Sequence, residues 1–343
     1  MSTTTSTICL TGPQTIECIN QTIDGLQNNQ VLIETHCSLI SSGTELSIYS
    51  HSHASSQAWQ EFSYFPRSMG YSNVGTVIEI GAEVDSAWLG KRVASRGCHS
   101  LFVVRDVEDL RVVPDNVSDE DATFAILAAV AMNGLRRGRL VWGEDVAVRG
   151  LGILGQLSVR LAIACGANTL AAVDRQENRL SRLPGVFHKN SMELRQYQRF
   201  ASLNSLRSAI NENSFSASDL FIEASGEAGL ISSEIECVRD QGRLLILSSP
   251  TKSTLFDFHE FCNRRSIEII GAHGFSQPKI ATPSNPWTSQ RHGTLFLSWL
   301  DQNKFSVQEL ISHRFSYREA VQAYHLLHTD QGGTAAVIIH WRN

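Results

Sequence analysis

Two kinds of hydrophobic spacing divide the 343-residue chain. From residue 8 to residue 113, short stretches alternate apolar and polar positions, as in Val31-Leu-Ile-Glu, Val74-Gly-Thr-Val-Ile-Glu-Ile and Leu101-Phe-Val-Val. Period-two alternation broken by glycine and polar clusters predicts strands. Gly70, Gly75, Gly81, Gly90 and Gly97 supply the turns and bulges that a sheet closing on itself requires. The pattern therefore predicts a compact, mostly β domain, followed by an apolar helix over 121–137 whose N-terminus is favoured by Asp119, Glu120 and Asp121.

From residue 145 the spacing changes, and strands alternate with helices. Strands are predicted at 145–149, 169–173, 219–223, 243–248 and 267–271, with a short sixth near 186. Six strands joined by helical crossovers make a doubly wound parallel sheet, so the fold class is α/β. The polar stretch 190–213, with Arg195, Arg199 and Arg207, reads as the solvated face of a helix. Beyond residue 271 comes a loop rich in proline and aromatic residues. A helix (293–302), a β-like His313-Arg-Phe, a helix (317–328) and a strand from Ala335 to His340 complete the chain. This tail is expected to return to the first domain. The expected division is 1–120 with 273–343 for the substrate domain and 121–272 for the nucleotide-binding domain.

The sharpest local signal is Asp145-Val-Ala-Val-Arg-Gly150-Leu-Gly152-Ile153-Leu154-Gly155, continuing to Ala172-Val173-Asp174. It reads as strand, glycine turn, helix, strand, acid. The first glycine permits the tight turn, the second lets a pyrophosphate approach the backbone, and the third lets helix and strand pack closely. The helix N-terminus offers unpaired N–H groups to phosphate charge. Asp174, at the end of the second strand, can accept both hydroxyls of an adenosine ribose, which points to NAD. Arg175 directly after it could instead meet the 2′-phosphate of NADP, but Asp174 would repel that group at short range, so NAD is the expected cofactor.

Composition narrows the function classes. The net charge of −5 suggests neither nucleic acid nor an anionic membrane as partner. The longest apolar run, Phe124 to Met132, falls far short of the ~20 residues that span a bilayer. The start, Met1-Ser-Thr-Thr-Thr-Ser-Thr, has neither the basic nor the apolar character of a targeting segment. Seven scattered cysteines without a C-x-x-C pair are simplest as reduced thiols in a cytoplasmic protein.

In order along the chain, several segments together resemble the medium-chain dehydrogenase/reductase superfamily, which includes the zinc alcohol and polyol dehydrogenases. They are Ser41-Ser42-Gly43-Thr44-Glu45, Met69-Gly70-Tyr71-Ser72-Asn73-Val74-Gly75, Lys91-Arg92-Val93, the glycine turn, Glu223-Ala-Ser-Gly226, Gly242-Arg-Leu-Leu and Ile311-Ser-His-Arg-Phe with Glu319-Ala320 and Ala323-Tyr324. The resemblance implies a GroES-like substrate domain, a Rossmann domain, a cleft between them and a homodimer or homotetramer. It also exposes departures. Zinc members carry Cys-Gly-Thr-Asp where this chain has Ser42-Gly43-Thr44-Glu45, and Gly-His-Glu where it has Gly70-Tyr71-Ser72. The third ligand position falls near Ala125 or Ile126. Catalytic zinc takes three ligands from Cys, His and carboxylate, so no zinc is expected, and Cys98 alone stands where a four-cysteine structural zinc lobe would be. His51 and His53 read as a solvated pair.

Without a metal, protein donors must handle the substrate's proton. The resemblance places Thr44 at the position of a proton-relaying hydroxyl and Tyr71 in place of a zinc-binding histidine. Tyr71 would serve as acid or base if its pKa, ordinarily about 10, is lowered, for which Arg67 is the nearest candidate. Glu45 could orient Tyr71 or act as base. Arg179 is carried over as a residue flanking the adenine ribose. Ser225 and Ser248 lie at the carboxyl ends of their strands, where ligands bind in open α/β sheets. Gly271 and His273 could approach the nicotinamide, and Ser42, Phe275 and Trp287 could line the substrate pocket. The function expected is zinc-independent hydride transfer between NAD(H) and a secondary alcohol or ketone, with a polyol, sugar or cyclitol as the substrate class. Alternatives are NAD(P)H-dependent reduction of an enone C=C bond, a redox-neutral reaction with retained NAD, and a nucleotide-binding regulatory protein with a degenerate site.

Overall fold

In the computed structural model, residues 3–51, 64–183, 194–330 and 332–342 are described. The chain forms two compact units, Met1–Ala129 with Thr288–Asn343, and Val130–Trp287.

The first unit is built on a sheet whose strand order is Ile311–Ser316, Ala336–His340, Gln30–Ile40, Asn73–Ile80, Arg92–Ser95 and Arg111–Val112, with Phe102–Asp106 also pairing Gln30–Ile40. A smaller sheet joins Thr15–Ile23, Thr3–Gly12 and Arg67–Ser68. Two separate apolar clusters fill the unit. One, around Val31, Ile33, Val77, Val93 and Val103, comes from inward-facing strand positions. The other brings Ile8, Leu10, Ile40 and Met69 against Tyr324, Leu327 and Ile339 from the end of the chain. The C-terminal return is therefore part of the first unit's core. Gly75 shows why the central strands need glycine: a Cβ there would overlap the Glu34 carbonyl of the neighbouring strand.

The second unit holds six parallel strands in the order Gln196–Phe200, Thr169–Val173, Asp145–Arg149, Ser218–Glu223, Val238–Ile246 and Glu268–Gly271. Its central strand carries Val146, Ala147 and Val148 without a polar interruption, and all three are buried. A parallel strand covered on both faces requires this. The helix Ile153–Ala164 packs on the sheet through Leu157 and Leu161 and ends where Gly166 takes φ of +85°.

Two expectations need correction. The stretch 190–213 is not one solvated helix, because Gln196–Phe200 is the edge strand, paired in parallel to Thr169–Val173. Among the described residues of this stretch, Leu203–Asn211, capped by Ser202, is the helical part. An edge strand keeps one side in solvent, so Gln196, Gln198 and Arg199 are tolerated while Phe200 is buried, and the polar residues masked the period-two pattern. The short strand expected near 186 lies outside the described residues, as does His53. The unit boundaries also fall later than the expected 120/121 and 272/273. The helix Ala125–Arg137 runs from one unit into the other. The loop after residue 271 stays with the second unit, held where Asn133 Nδ2 donates to Ser276 Oγ at 2.9 Å and where the Arg136 guanidinium lies 3.3 Å from the Trp287 ring centroid. Among the described residues, no helix is long and apolar enough to cross a membrane.

Candidate active site

The glycine turn has the geometry its spacing predicts. Gly150 takes φ of +87°, and a Cβ there would stand 2.6 Å from the Ser225 backbone. A Cβ on Gly155 would overlap the Gly150 carbonyl oxygen, so helix and strand meet backbone to backbone. Gly152 differs: nothing lies within 4 Å of where its Cβ would stand, at the N-cap of the helix Ile153–Ala164. That open space beside free helix N–H groups fits a pyrophosphate. Asp174 is 6% exposed and closes the arrangement. Its Oδ2 accepts from Leu151 N at 2.7 Å, its Oδ1 accepts from Gln176 N at 2.8 Å, and Arg179 Nη1 stands 3.6 Å away. The acid is thus held rigidly at the rim of the glycine turn with Arg179 beside it, while Arg175 is exposed. These residues fit a dinucleotide.

Ser225 and Ser248 stand at the sheet's carboxyl edge as expected, but both converge on a buried acid that the sequence reading did not assign to the site. Glu223 Oε1 accepts from Ser225 N at 2.7 Å, Ser225 Oγ at 2.5 Å and Gly226 N at 2.9 Å, and Oε2 accepts from Ser248 Oγ. Beside it, Arg149 Nη1 donates to Ser225 Oγ at 2.5 Å and to Glu234 Oε1 at 2.9 Å. Despite that arginine, burial and the neighbouring Glu223 push Glu234 up to about 8. The raised value means that the folded protein holds a proton which the unfolded chain releases above pH 4.5. This contribution to stability is complete below pH 4.5 and is lost as pH rises to about 8, by at most about 1.4 kcal/mol per pH unit. Denaturation across pH 5 to 9 is expected to show that fall, and Glu234→Gln is expected to flatten it. A slope unchanged in the variant would refute the assignment.

Gly271 and His273 are engaged within the second unit, Gly271 by a helix and His273 by its own loop. Gly271 O accepts from Arg137 Nε at 2.8 Å, and His273 Nδ1 accepts from Phe275 N at 3.3 Å. The Phe275 ring is 75% exposed against His273, and Trp287 lies under Arg136. The second unit by itself therefore gives neither aromatic a pocket to line.

On the first unit, Tyr71 is the centre. Its hydroxyl donates to Ser41 Oγ at 2.6 Å, and Thr44, at the start of the helix Thr44–Tyr49, hydrogen-bonds the same phenol. Ser42 lies half-buried between them in sequence. The expectation of a lowered phenol pKa is reversed: burial raises it above 10, and Glu45 adds to the rise. Arg67 lies over the Tyr64 ring, 5.0 Å from its centroid. The guanidinium that lowers Tyr71, against the stronger burial effect, belongs to Arg96.

Glu45 also differs from expectation. It is 1% exposed and does not orient Tyr71. Its Oε1 accepts from Ser41 N at 2.8 Å, and its Oε2 meets His99 Nε2 at 3.1 Å and accepts from Tyr324 OH. Burial and this carboxylate raise Tyr324 well above the usual phenol value, so Tyr324 remains a donor. Glu45 therefore ties a loop, a strand end and the helix that carries Tyr324 together, with both carboxylate oxygens engaged. Gly70 takes φ of +90° because His99 leaves no room, a Cβ falling 2.6 Å from its ring. The sequence reading missed His99, Tyr324, Ser41 and Arg96. Ser41 and Tyr324 stood in segments that carry the resemblance, and His99 and Arg96 in the run Ser95-Arg96-Gly97-Cys98-His99 that follows Lys91-Arg92-Val93.

The residues at the resemblance's zinc positions do not fit the metal. Ser42 and Tyr71 offer hydroxyls, Tyr71 is committed to Ser41, and Ala125 and Ile126 are buried without a donor atom. Among the described residues, no group of three His, Cys, Asp or Glu could hold an ion.

No family model matches the chain. The L-threonine 3-dehydrogenase of Marinomonas sp. strain MWYL1 is 23% identical over 349 residues, covering 92% of this chain and 93% of that protein. The short chain alcohol dehydrogenase of Escherichia coli CFT073, solved with NADH, matches with a TM-score of 0.78 at 17% identity, over 98% of this chain and 99% of its own. A putative zinc-binding dehydrogenase of Sinorhizobium meliloti 1021, bound to NADP, matches with a TM-score of 0.80 at 17% identity, over 99% and 100%. An uncharacterized zinc-type alcohol dehydrogenase-like protein of Escherichia coli K12 is 24% identical over 245 residues, covering 70% of this chain and 63% of that protein, and the chain has the fold of the solved dehydrogenases, a GroES-like β unit with a Rossmann sheet.

Proposed function

We propose that this protein is a zinc-independent oxidoreductase that transfers hydride between NAD(H) and a secondary alcohol or its ketone, a polyol, sugar or cyclitol being the substrate class. The observation that carries this reading is the hydroxyl cluster formed by Tyr71, which the resemblance aligns with a zinc-binding histidine, with Ser41 and Thr44, on a chain that also holds an Asp174-rimmed glycine turn. A bound nicotinamide supplies hydride exchange at its C4. Gly152 and the N-terminus of Ile153–Ala164 would hold the pyrophosphate, and Asp174 with Arg179 would hold the adenine ribose. The chain's own chemistry is proton transfer at the substrate oxygen. With its pKa raised, Tyr71 is a neutral phenol at physiological pH and acts as the donor in carbonyl reduction, with Ser41 and Thr44 as the route by which it recovers a proton.

The test is to follow NADH absorbance with a panel of alcohols, ketones and enones, with and without chelator, alongside metal analysis of the purified protein. Chelator-resistant turnover of an alcohol or ketone supports the proposal, and strict zinc dependence overturns it. NADPH consumption with enones and not ketones transfers the assignment to C=C reduction. Tyr71→Phe is expected to lower kcat for ketone reduction at least about a hundredfold with little change in KM. Because Tyr71 stays protonated above pH 10, the wild-type reduction rate is expected to show no loss of a tyrosine proton between pH 6 and 9, while alcohol oxidation rises with pH. Asp174→Ala is expected to weaken NADH binding about tenfold or more and to narrow the preference over NADPH, read by fluorescence titration. Affinity for NADH equal to wild type would refute the ribose assignment.

A homodimer suits the exposed edge strand Glu268–Gly271, on which Ile269 is solvent-accessible. Seven cysteines without a disulfide support a cytoplasmic setting.

A further inference from the structure

In the first unit, two guanidinium groups converge on one hydroxyl. Arg96 follows the strand Arg92–Ser95, and Arg111 opens the strand Arg111–Val112. Arg96 Nη2 stands 3.4 Å, and Arg111 Nη2 2.9 Å, from Ser289 Oγ. Ser289 is the first residue of the helix Ser289–Asp301, whose N-terminal N–H groups add positive potential of their own. Neither Arg96 nor Arg111 forms an ion pair among the described residues. Asp109, the acid whose charge acts on both, has its carboxylate committed to Arg105 at 3.1 Å and offers Arg111 only its backbone oxygen, at 2.7 Å.

Arg111 is fixed in this position. It is 3% exposed, its Nε has no acceptor among the described residues, and a Cβ on Gly293 would come 2.5 Å from that atom. Burial and the charge of Arg96 bring Arg111 down to about 10, which leaves it charged at neutral pH. Arg96 is half-buried, and its charge acts on Tyr71 and is acted on by it. Two like charges and a helix N-terminus sharing one neutral hydroxyl, with the local carboxylate already used, make an arrangement that costs folding energy unless an anion completes it. Guanidinium groups suit carboxylate and phosphate oxygens by shape as well as by charge.

We propose that Arg96, backed by Arg111 and Ser289, is an anion subsite that receives a carboxylate or phosphate group of the substrate. That the anion belongs to the substrate rests on the function proposed above; the subsite itself does not. Within the polyol, sugar or cyclitol class proposed above, it selects members that also carry a carboxylate or phosphate group.

The experiment reads binding, not turnover. The purified full chain is titrated with malonate and, separately, with inorganic phosphate, against sodium chloride of matched ionic strength, while the melting temperature is followed. A saturable rise in Tm beyond the chloride control is expected with at least one of the two, and comparing the arms tells which acid group the site prefers. Arg96→Gln is expected to weaken that binding at least about tenfold, the loss of one charge-assisted hydrogen-bonded contact. NADH affinity, measured by fluorescence on the same sample, should be unchanged and reports that the variant is folded. Arg96→Lys, which keeps the charge without the planar fork, is expected to fall between the two and serves if the glutamine variant does not fold. Arg139→Gln, at an exposed arginine paired to Glu268, should respond like wild type. A wild-type response no greater than that to chloride, or one that survives in Arg96→Gln, overturns the proposal. Failure of NADH to bind would overturn the oxidoreductase reading while leaving this titration valid.

Discussion

A Gly155→Val protein is expected to bind no measurable NADH and to lose at least about 3 kcal/mol of stability, at or beyond the upper end of the usual overpacking cost. The reason is local and steric. Any Cβ at residue 155 overlaps the carbonyl oxygen of Gly150, and backbone cannot move aside as the end of a flexible side chain can. The helix Ile153–Ala164 would have to lift from the strand Asp145–Arg149, carrying with it the Leu151 N–H that Asp174 accepts. Chemical denaturation and NADH fluorescence on one preparation test both halves. Gly152→Ala is the informative partner. Its backbone has φ of −65° and open space around the Cβ, so the alanine protein is expected to melt within about 1 kcal/mol of wild type and still lose cofactor affinity. Parallel loss of stability in both variants would mean that the open space at Gly152 is not reserved for a ligand.

Glu45→Ala is the second large effect, expected to destabilise the protein by about 3–5 kcal/mol, the range for removing one partner of a buried, hydrogen-bonded charged group. The loss would strand the Ser41 N–H, the His99 ring and the Tyr324 hydroxyl, all in the interior. These groups come from three separate parts of the chain, so the defect is spread across the first unit. Glu45→Gln keeps the shape and part of the hydrogen bonding and should cost less. The two variants also separate roles. If Glu45 were the catalytic base, the glutamine protein would retain its stability and lose its turnover. With Glu45 as the structural tie, activity per folded molecule persists in proportion to how well the Ser41 loop keeps its position under Tyr71. Stability losses below about 1 kcal/mol in Glu45→Ala would remove the structural assignment.

How far the site could be read in advance depended on the range of the interaction. The glycine turn was legible because each glycine answers to a neighbour a few residues away or on the adjoining strand, and because Asp174 follows within one βαβ unit. The pairing of Ser225 and Ser248 with Glu223 was half legible: strand ends mark the place, but which side chain satisfies which is decided by rotamers. The direction of the Tyr71 shift was misread because burial outweighs every neighbouring charge, and burial of a residue in a glycine-rich, polar segment leaves no periodic trace. Arg67 is the nearer arginine by sequence distance, and only the return of the chain through the strand Arg92–Ser95 brings the charge of Arg96 to act on Tyr71.

By itself the sequence determined the α/β class, the order of most strands and helices and the dinucleotide turn. Each of those follows from spacing within a window of some twenty residues, where side-chain periodicity and backbone sterics act directly. Only the tertiary structure decided that Glu45 is held by Tyr324, 279 residues away, and that Arg96 and Arg111 meet over Ser289, 193 and 178 residues away respectively. Contacts of that span are settled by packing of the whole unit, in which a buried polar group takes whichever partner the assembled core brings within reach.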